Sequence, residues 1–256
     1  MSDSDRVITF REREFKGSRF RCLLLTSRQP ADVAGFLSET VRPHAQVRVD
    51  AHWAPRGFLK PDEAKLGETE GFLCETDRRV MTNWWLAKTG RANTPNWDLV
   101  SECQISGQRG LILVEAKAHE GELGDDRCGA TNQQNYQSIC NALGEATTGW
   151  NRLQSGFALS AESHYQLSNR FAFAWKLATM KIPVVLVYLG FLDAVEMSGK
   201  RLLDDHAQWR SSVIDRAKGV IPEEAWDRQF DIDGTPLIVL IRSARVQIDA
   251  TIEKAE

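Results

Sequence analysis

The stretch that decides the fold reads PNWDLV at residues 95–100 and GLILVEAKAH at residues 110–119. The LILV of the second segment has the length and branching of a buried β strand. The SGQRG at residues 106–110 predicts a tight turn, because its two glycines supply the positive φ angles that hairpin loops need. We therefore predict a β hairpin that brings Asp98 opposite the end of the second strand.

Two carboxylates and one amine are expected to meet at the end of this hairpin. Side chains alternate along a strand, so Glu115 and Lys117 leave it on one face while Ala116 uses the other. Depending on the register, Asp98 lies across from a residue between Glu115 and Ala118. The alternative interpretation is an ordinary surface hairpin that carries a Glu–Lys ion pair.

This grouping has a chemical consequence. A pair of carboxylates at close range resists double ionisation unless a cation lies between them. Hard oxygen ligands in small number favour Mg²⁺ or Mn²⁺, with the other coordination positions left to water and substrate phosphate. Lys117, two residues from one carboxylate, is placed to hold or deprotonate a metal-bound water.

Asp98 followed by Glu115-Ala116-Lys117 resembles the PD-(D/E)xK motif of the restriction-endonuclease-like nucleases. The first half departs from that motif, since Asn-Trp-Asp replaces the usual Pro-Asp dipeptide and Pro95 lies three residues before the aspartate. Only the aspartate is a ligand in the family, so the departure leaves the ligand set intact. The resemblance implies an α/β fold with a mixed central sheet flanked by helices.

A second element supports the same resemblance. Residues 163–180 predict a helix with Ser163 as N-cap and an apolar stripe at steps of three and four. The stripe consists of Leu167, Phe171, Ala174 and Ala178. Gln166 and Arg170 occupy another face, and a buried strand at 182–190 follows. This order resembles the element after Glu-x-Lys in recombination-type exonucleases of the superfamily, although an ordinary polar helix face is the alternative.

The resemblance implies roles for the motif residues. Asp98 and Glu115 would hold Mg²⁺ or Mn²⁺, with the Ala116 carbonyl as a further ligand. Lys117 would orient or deprotonate the attacking water. Gln166 would position the site from its helix.

Other residues are implied around this centre. Arg170, Tyr165 and Asn169 are expected to contact the substrate, and Arg170 would offer a forked donor to a phosphate at the rim of a cleft. Glu75, on the helix predicted before the hairpin, would supply a further metal ligand, as such glutamates do in some relatives of the superfamily. Two nearby glutamates are alternatives to it, and a solvated helix carboxylate is the plainer interpretation.

Composition sets outer limits on the interpretation. With 256 residues, 42% of them hydrophobic, the chain can bury a full core, and we expect one elaborated domain with its centre at 62–192. A net charge of −3 gives no general attraction to nucleic acid, so phosphate binding must come from local patches and metal. One basic patch lies near the N-terminus: Arg11, Arg13, Lys16, Arg19 and Arg21. Glutamates interrupt it, which favours a solvated strand or hairpin face.

The cysteines and the hydropathy pattern bear on location. Five cysteines, without any Cys-x-x-Cys spacing, argue against a zinc ribbon or a disulfide framework and for a reducing cytoplasm. The N-terminal residues lack the apolar stretch of a signal peptide, and no apolar run has the length of a membrane span. We expect a cytoplasmic protein without a membrane partner. The sequence leaves the oligomeric state open, a dimer included.

Local patterns predict the remaining elements. The expected helices span residues 30–41, 62–88, 132–153 and 206–218. Strand material with a turn at Gly17 is expected at 7–26. The Asp233-Gly234 dipeptide predicts a hairpin whose second arm is Leu237–Ile241.

These features favour metal-dependent hydrolysis of a phosphodiester, with DNA as the expected partner. One alternative is a catalytically silent module that binds nucleic acid or protein and keeps the nuclease-like fold. Another is a structural α/β protein in which the motif match is chance. A failure of Asp98, Glu115 and Lys117 to converge would favour the last of these.

Overall fold

The computed structural model describes residues 16–90, 92–124, 126–197, 199–246 and 248. The strands in these ranges are β1 (Trp53–Ala54), β2 (Ala64–Lys65), β3 (Asn96–Trp97), β4 (Leu99–Ile105), β5 (Gln108–Lys117), β6 (Val184–Phe191), β7 (Arg228–Ile232) and β8 (Thr235–Ala244). Six of them form one sheet in the order β1-β4-β5-β6-β8-β7, and β2 pairs with β3 in a separate ladder. The main sheet therefore extends on both sides of residues 62–192.

Helices cover both faces of this sheet. They are α1 (Gly17–Thr26), α2 (Pro30–Val41), α3 (Glu75–Trp85), α4 (Gln133–Leu153), α5 (Tyr165–Thr179) and α6 (His206–Ala217). None of the helices in the described ranges is both long and apolar enough to cross a membrane. The architecture is α/β, with a mixed six-stranded sheet between helical layers.

The middle strand β5 connects the two halves of the sheet. It runs antiparallel to β4 and parallel to β6, and it is buried from Gly110 to its end. Its side chains alternate between two cores: Leu111 and Leu113 pack with α3 to α6, whereas Ile112 and Val114 pack with α1 and α2. A strand with both faces covered has to be apolar throughout, which explains the unbroken run in the sequence.

Most of the predicted elements are confirmed. The β4–β5 hairpin forms with its turn at Ser106 and Gly107, which both have positive φ. Helices α2, α4, α5 and α6 and strand β6 lie within a few residues of the predicted bounds. The Asp233-Gly234 turn joins β7 to β8. Helix α5 begins two residues later than expected, after His164, so Ser163 is not its N-cap.

The strand prediction for 7–26 is wrong where the structure describes it. Residues 17–26 form α1, while residues 7–15, with Arg11 and Arg13, lie outside the described residues. Arg21 is 1% exposed because its guanidinium pairs with Glu196, 175 residues further along the chain. The burial of Arg21 could not be predicted from the sequence, because its partner lies so far away in the chain.

The long helix predicted at 62–88 is wrong in its first half. Only Glu75–Trp85 is helical, and Cys74 is the N-cap. Gly71 has a φ of +96°, and a side chain there would lie 2.6 Å from the His52 ring. A right-handed helix cannot pass through a residue with this positive φ, although Leu66, which suggested the helical spacing, is still buried in the core.

Two glycines of α4 provide a test of its packing. A Cβ at Gly149 would lie 2.2 Å from the Trp175 ring of α5, whereas a Cβ at Gly144 meets nothing within 4 Å. Gly149→Ala should lower the free energy of unfolding by about 1 to 3 kcal/mol through overpacking. Gly144→Ala should raise it by roughly 0.5 to 1 kcal/mol, because alanine is the better helix former. Urea unfolding of both variants checks this, and equal shifts would contradict the proposed α4–α5 contact.

Candidate functional site

The end of the β4–β5 hairpin brings the predicted carboxylates together. Leu99 pairs with Val114, so Asp98 continues the ladder opposite Glu115. Strand β4 has no backbone left to pair with Ala116, and the Asp98 carboxylate takes its place by accepting the Ala116 N–H at 2.7 Å. This contact lies within the predicted range, which placed Asp98 across from a residue between Glu115 and Ala118.

Glu115 lies at the centre of the cluster and is 1% exposed. One of its carboxylate oxygens accepts a hydrogen bond from the Lys117 ammonium, and the other accepts one from Arg170 Nε at 2.6 Å. Lys117 Nζ also donates to Gln166 Oε1 at 3.0 Å. The residue predicted to support the site from α5 therefore touches the predicted lysine.

Burial shifts the pKa of each ionisable group in this cluster, and neighbouring charges either add to that shift or outweigh it. Burial, together with the neighbouring Glu115 charge, raises the pKa of Asp98 to about 7. Burial would also raise the pKa of Glu115, but Arg170 and Lys117 outweigh it and keep that pKa below its usual value. Burial would lower the pKa of Lys117, yet Glu115 and Asp98 outweigh it and raise that pKa. Near neutral pH, Lys117 is therefore an ammonium and Glu115 is ionised, whereas Asp98 is present in both its protonated and its ionised form.

Arg170 does not lie where it was expected. It is 4% exposed, and its guanidinium donates to Glu115, to Asn169 Oδ1 at 2.9 Å and to the Asn96 carbonyl at 2.6 Å. The same guanidinium stacks over the Trp97 ring at 4.4 Å. The predicted rim position with a free fork for phosphate is therefore wrong, and Arg170 instead holds Glu115 in place.

The other residues predicted on α5 lie along one cleft. Tyr165, Gln166 and Asn169 line a cleft of about 270 Å³, with Arg170 at its base. Asn169 is buried and its amide oxygen is occupied by Arg170, whereas Gln166 and Tyr165 are half-buried. These two are the better placed to reach a ligand in the cleft.

The structure does not bring Glu75 to this cluster. Glu75 is exposed at the first turn of α3, close to Phe72, whose carbonyl accepts a hydrogen bond from Arg109 at 2.9 Å. Arg109 lies near the start of β5, six residues and about 20 Å along the strand from Glu115. The prediction of Glu75 as a metal ligand thus lacks the necessary proximity, because the helix that carries it starts at the wrong end of the strand.

The oxygen atoms at the hairpin end fit a hard cation. Asp98 uses one oxygen for Ala116 N–H, and its other oxygen accepts no hydrogen bond from the described residues. The Ala116 carbonyl points to the same side as its N–H, toward Asp98, because both groups of a strand residue share one edge. Burial first, and then the Glu115 charge, raises the pKa of Asp98, and a cation bound between the two carboxylates would lower it. Within the described ranges, no three His, Cys, Asp or Glu side chains form a metal-binding group, so the Ala116 carbonyl and water would have to complete the set.

One supporting contact was not predicted from the sequence. The Asp126 carboxylate accepts the Gln166 N–H at 3.0 Å, which fixes the first turn of α5 beside Lys117. Aspartate is a common partner for a helix N-terminus, but here it lies 40 residues upstream in the chain. No local pattern connects two residues at that separation.

No protein-family model, no curated protein and no solved structure matches this chain. The functional argument therefore rests on the fold and on the geometry of the hairpin end.

The raised pKa of Asp98 has a measurable consequence for stability. The folded protein keeps this proton up to a pH of about 7, whereas the unfolded chain loses it near the ordinary value of 3.8. The stability that this protonation provides is full below about pH 4 and is lost as the pH rises to about 7. Asp98→Asn keeps the acceptor for Ala116 N–H, so in metal-free buffer it should be more stable than the wild type by up to roughly 4 kcal/mol at pH 8 and nearly equal to it at pH 4, because each unit between the pKa of 3.8 and that of about 7 is worth about 1.4 kcal/mol.

Urea unfolding of Asp98→Asn at these two pH values, with EDTA present, measures the difference. The matched control is Asp215→Asn at an exposed position of α6. A stability gain that is the same at both pH values would contradict the raised pKa of Asp98 and its interaction with the Glu115 charge.

Proposed function

We propose that this protein is a metal-dependent phosphodiesterase of the restriction-endonuclease-like class and that its substrate is DNA. The observation that carries the proposal is the meeting of Asp98, Glu115 and Lys117 at one hairpin end, with Gln166 hydrogen-bonded to Lys117 from α5. A chance match of a short motif would not be expected to place a fourth residue, 49 positions away in sequence, in contact with the lysine. The mixed α/β sheet is compatible with that class.

The proposed roles follow from the contacts. Asp98, Glu115 and the Ala116 carbonyl would hold Mg²⁺ or Mn²⁺. When bound, such an ion lowers the pKa of water and stabilises negative charge on a phosphate. Lys117 is an ammonium in this environment, so it would orient water and donate a hydrogen bond to a phosphate oxygen rather than accept a proton.

Two further residues would act through these groups. Gln166 accepts from Lys117 and so fixes the direction of its remaining N–H donors. Arg170 fixes the second oxygen of Glu115, which keeps this carboxylate ionised and oriented. Both are positioning residues.

The five cysteines are all free, which supports a reducing cytoplasmic location as part of the same proposal.

A second candidate function is a catalytically silent binding module with the same fold. It is favoured by the way in which Lys117 and Arg170 already balance Glu115 without a metal. Metal titration separates the two candidates. A nuclease should bind Mn²⁺ more tightly in the presence of a nucleic acid and should cleave it, whereas a silent module should do neither.

Lys117→Met should reduce cleavage at least 100-fold while metal binding changes little, because the ammonium acts on water and on a phosphate oxygen rather than on the ion. Methionine keeps most of the buried volume, and Glu115 stays paired with Arg170. The assay uses labelled single- and double-stranded DNA and RNA with Mg²⁺, Mn²⁺ or EDTA. Lys176→Met is the matched control, since this lysine of α5 pairs with Glu145 instead. Cleavage at the wild-type rate in Lys117→Met would remove the lysine from the mechanism.

Gln166→Ala should lower turnover about 10-fold without lowering the melting temperature. One positioned polar contact is lost, and Gln166 is half-buried, so no core volume is removed. Single-turnover cleavage and thermal unfolding are measured together. Gln137→Ala on the exposed face of α4 serves as the control. An unfolded variant, or one with unchanged turnover, would contradict the positioning role of Gln166.

A further inference from the structure

A second, smaller cavity lies beside Lys117. It has a volume of about 30 Å³ and is lined by Lys117, Gln166, Tyr188 and Arg216, among others. Gln166 lines both this cavity and the larger cleft along α5, so the two spaces meet at its side chain. A space of this size holds a single water molecule or a single oxygen of a larger ligand.

Two polar atoms of residues that line this cavity form no hydrogen bond with any described residue. Tyr188 lies opposite Glu115 in the β5–β6 ladder and is 2% exposed, yet its hydroxyl makes no hydrogen bond with any described residue. Arg216 Nε, in the last turn of α6, is also buried and unpaired within the described ranges. Buried polar groups are nearly always hydrogen-bonded, so two orphans around one cavity require an explanation.

Four of the polar side chains around this space offer hydrogen-bond donors, and the fifth, His164, donates or accepts according to its tautomer. Lys117 Nζ, which donates to Glu115 and Gln166, and Arg216 Nε can only donate. The Gln166 oxygen is used by Lys117, which leaves its amide N–H groups free to donate. Tyr188 contributes an O–H. A water molecule could donate to the Tyr188 oxygen but would accept from at most two of these donors, whereas an anionic oxygen can accept from more of them and therefore matches this set better.

The cavity shares Leu123 and Arg216 with an outer cleft beside α6. This cleft has a volume of about 500 Å³ and is also lined by Ser211, Ser212 and Gln208. The cleft contains Glu120, which Arg201 neutralises at 3.1 Å, and the exposed Asp215. Arg216 itself forms no ion pair with a described carboxylate, so its charge remains available to a ligand that enters from this side.

We propose that Tyr188 and Arg216 form a binding pocket for one non-bridging oxygen of a phosphate group, next to Lys117. The identification of this phosphate as part of a polynucleotide strand rests on the proposed function. Its source is either an internal phosphodiester or a 5′-terminal phosphate, which share the same oxygen chemistry. Arg216 would thus contact the phosphate, a role that was predicted for Arg170 but that its buried, fully paired guanidinium does not fill.

Tyr188→Phe is the most informative variant. The hydroxyl has no partner among the described residues, so its removal should leave the melting temperature unchanged or slightly raised. A purely structural tyrosine would not lose ligand affinity without losing stability. Arg216→Gln removes the charge at the same cavity, and Arg152→Gln, at an exposed position of α4, is the matched control.

Inorganic phosphate in EDTA is the first probe, with binding followed by ³¹P line broadening. Tyr188→Phe and Arg216→Gln should each raise the phosphate dissociation constant about 5-fold or more, and Arg152→Gln should leave it unchanged. Equal line broadening in wild type and in both cavity variants would overturn the pocket. Because no cleavage is measured, this result is independent of the proposed function.

Oligonucleotides identify the source of the phosphate. A single-stranded DNA with a 5′-phosphate and its 5′-hydroxyl counterpart are titrated in EDTA against the same proteins. A loss of affinity in the variants for both strands supports an internal phosphodiester, and a loss for the phosphorylated strand alone supports a terminal phosphate. Unchanged affinity for both strands would overturn the assignment to a polynucleotide. Phosphate binding without any cleavage would keep the pocket and reject the nuclease, whereas cleavage with unaltered phosphate binding would do the reverse.

Discussion

The buried carboxylate of Glu115 is the interaction on which the site depends. Moving an ionised carboxylate out of water costs several kcal/mol, and only well-placed cations offset this cost. Arg170 and Lys117 supply them from two directions, across the α5–β5 interface and along the strand. Losing one partner of such a buried group typically costs about 3 to 5 kcal/mol. The position of α5 on the sheet is therefore fixed by charge as well as by its apolar face.

Asp98 is the unsatisfied member of the same cluster. Its pKa of about 7 means that the fold holds a carboxylate next to Glu115 at the expense of its ionisation. Residues that are held in an unfavourable protonation state are concentrated at functional sites, although structural ion networks also produce them. Here the cations face Glu115, while Asp98 accepts only a backbone N–H in the described part of the chain. That asymmetry is what distinguishes the hairpin end from a closed structural salt bridge.

The sequence allowed the hairpin and the shared face of Glu115 and Lys117 to be predicted, because both follow from turn residues and strand alternation, whereas the place of Gln166 at the site was implied by the family resemblance. Strand alternation fixes which side Glu115 and Lys117 take, and helical spacing places Gln166 one turn before Arg170. The role of Arg170 could not be predicted in this way, since a guanidinium on a polar helix face looks the same whether it meets water or a buried glutamate. The same holds for Arg21 in α1 and its distant partner Glu196. Long-range ion pairs, and close approaches such as that of Gly71 to His52, leave no local trace in the chain.

The polarity of the site changes across Lys117. On the Asp98 side lie the carboxylate oxygens of Asp98 and Glu115 and the Ala116 carbonyl, and one Asp98 oxygen accepts no hydrogen bond from the described residues. On the Tyr188 side, donors collect and an acceptor is missing. A phosphate group that interacts with a cation through one oxygen and with hydrogen-bond donors through another would satisfy both sides at once. The chain has a net charge of −3, so no diffuse attraction would hold such a group. Its recognition would depend on this local separation of acceptors from donors, and Lys117 lies at the boundary between them.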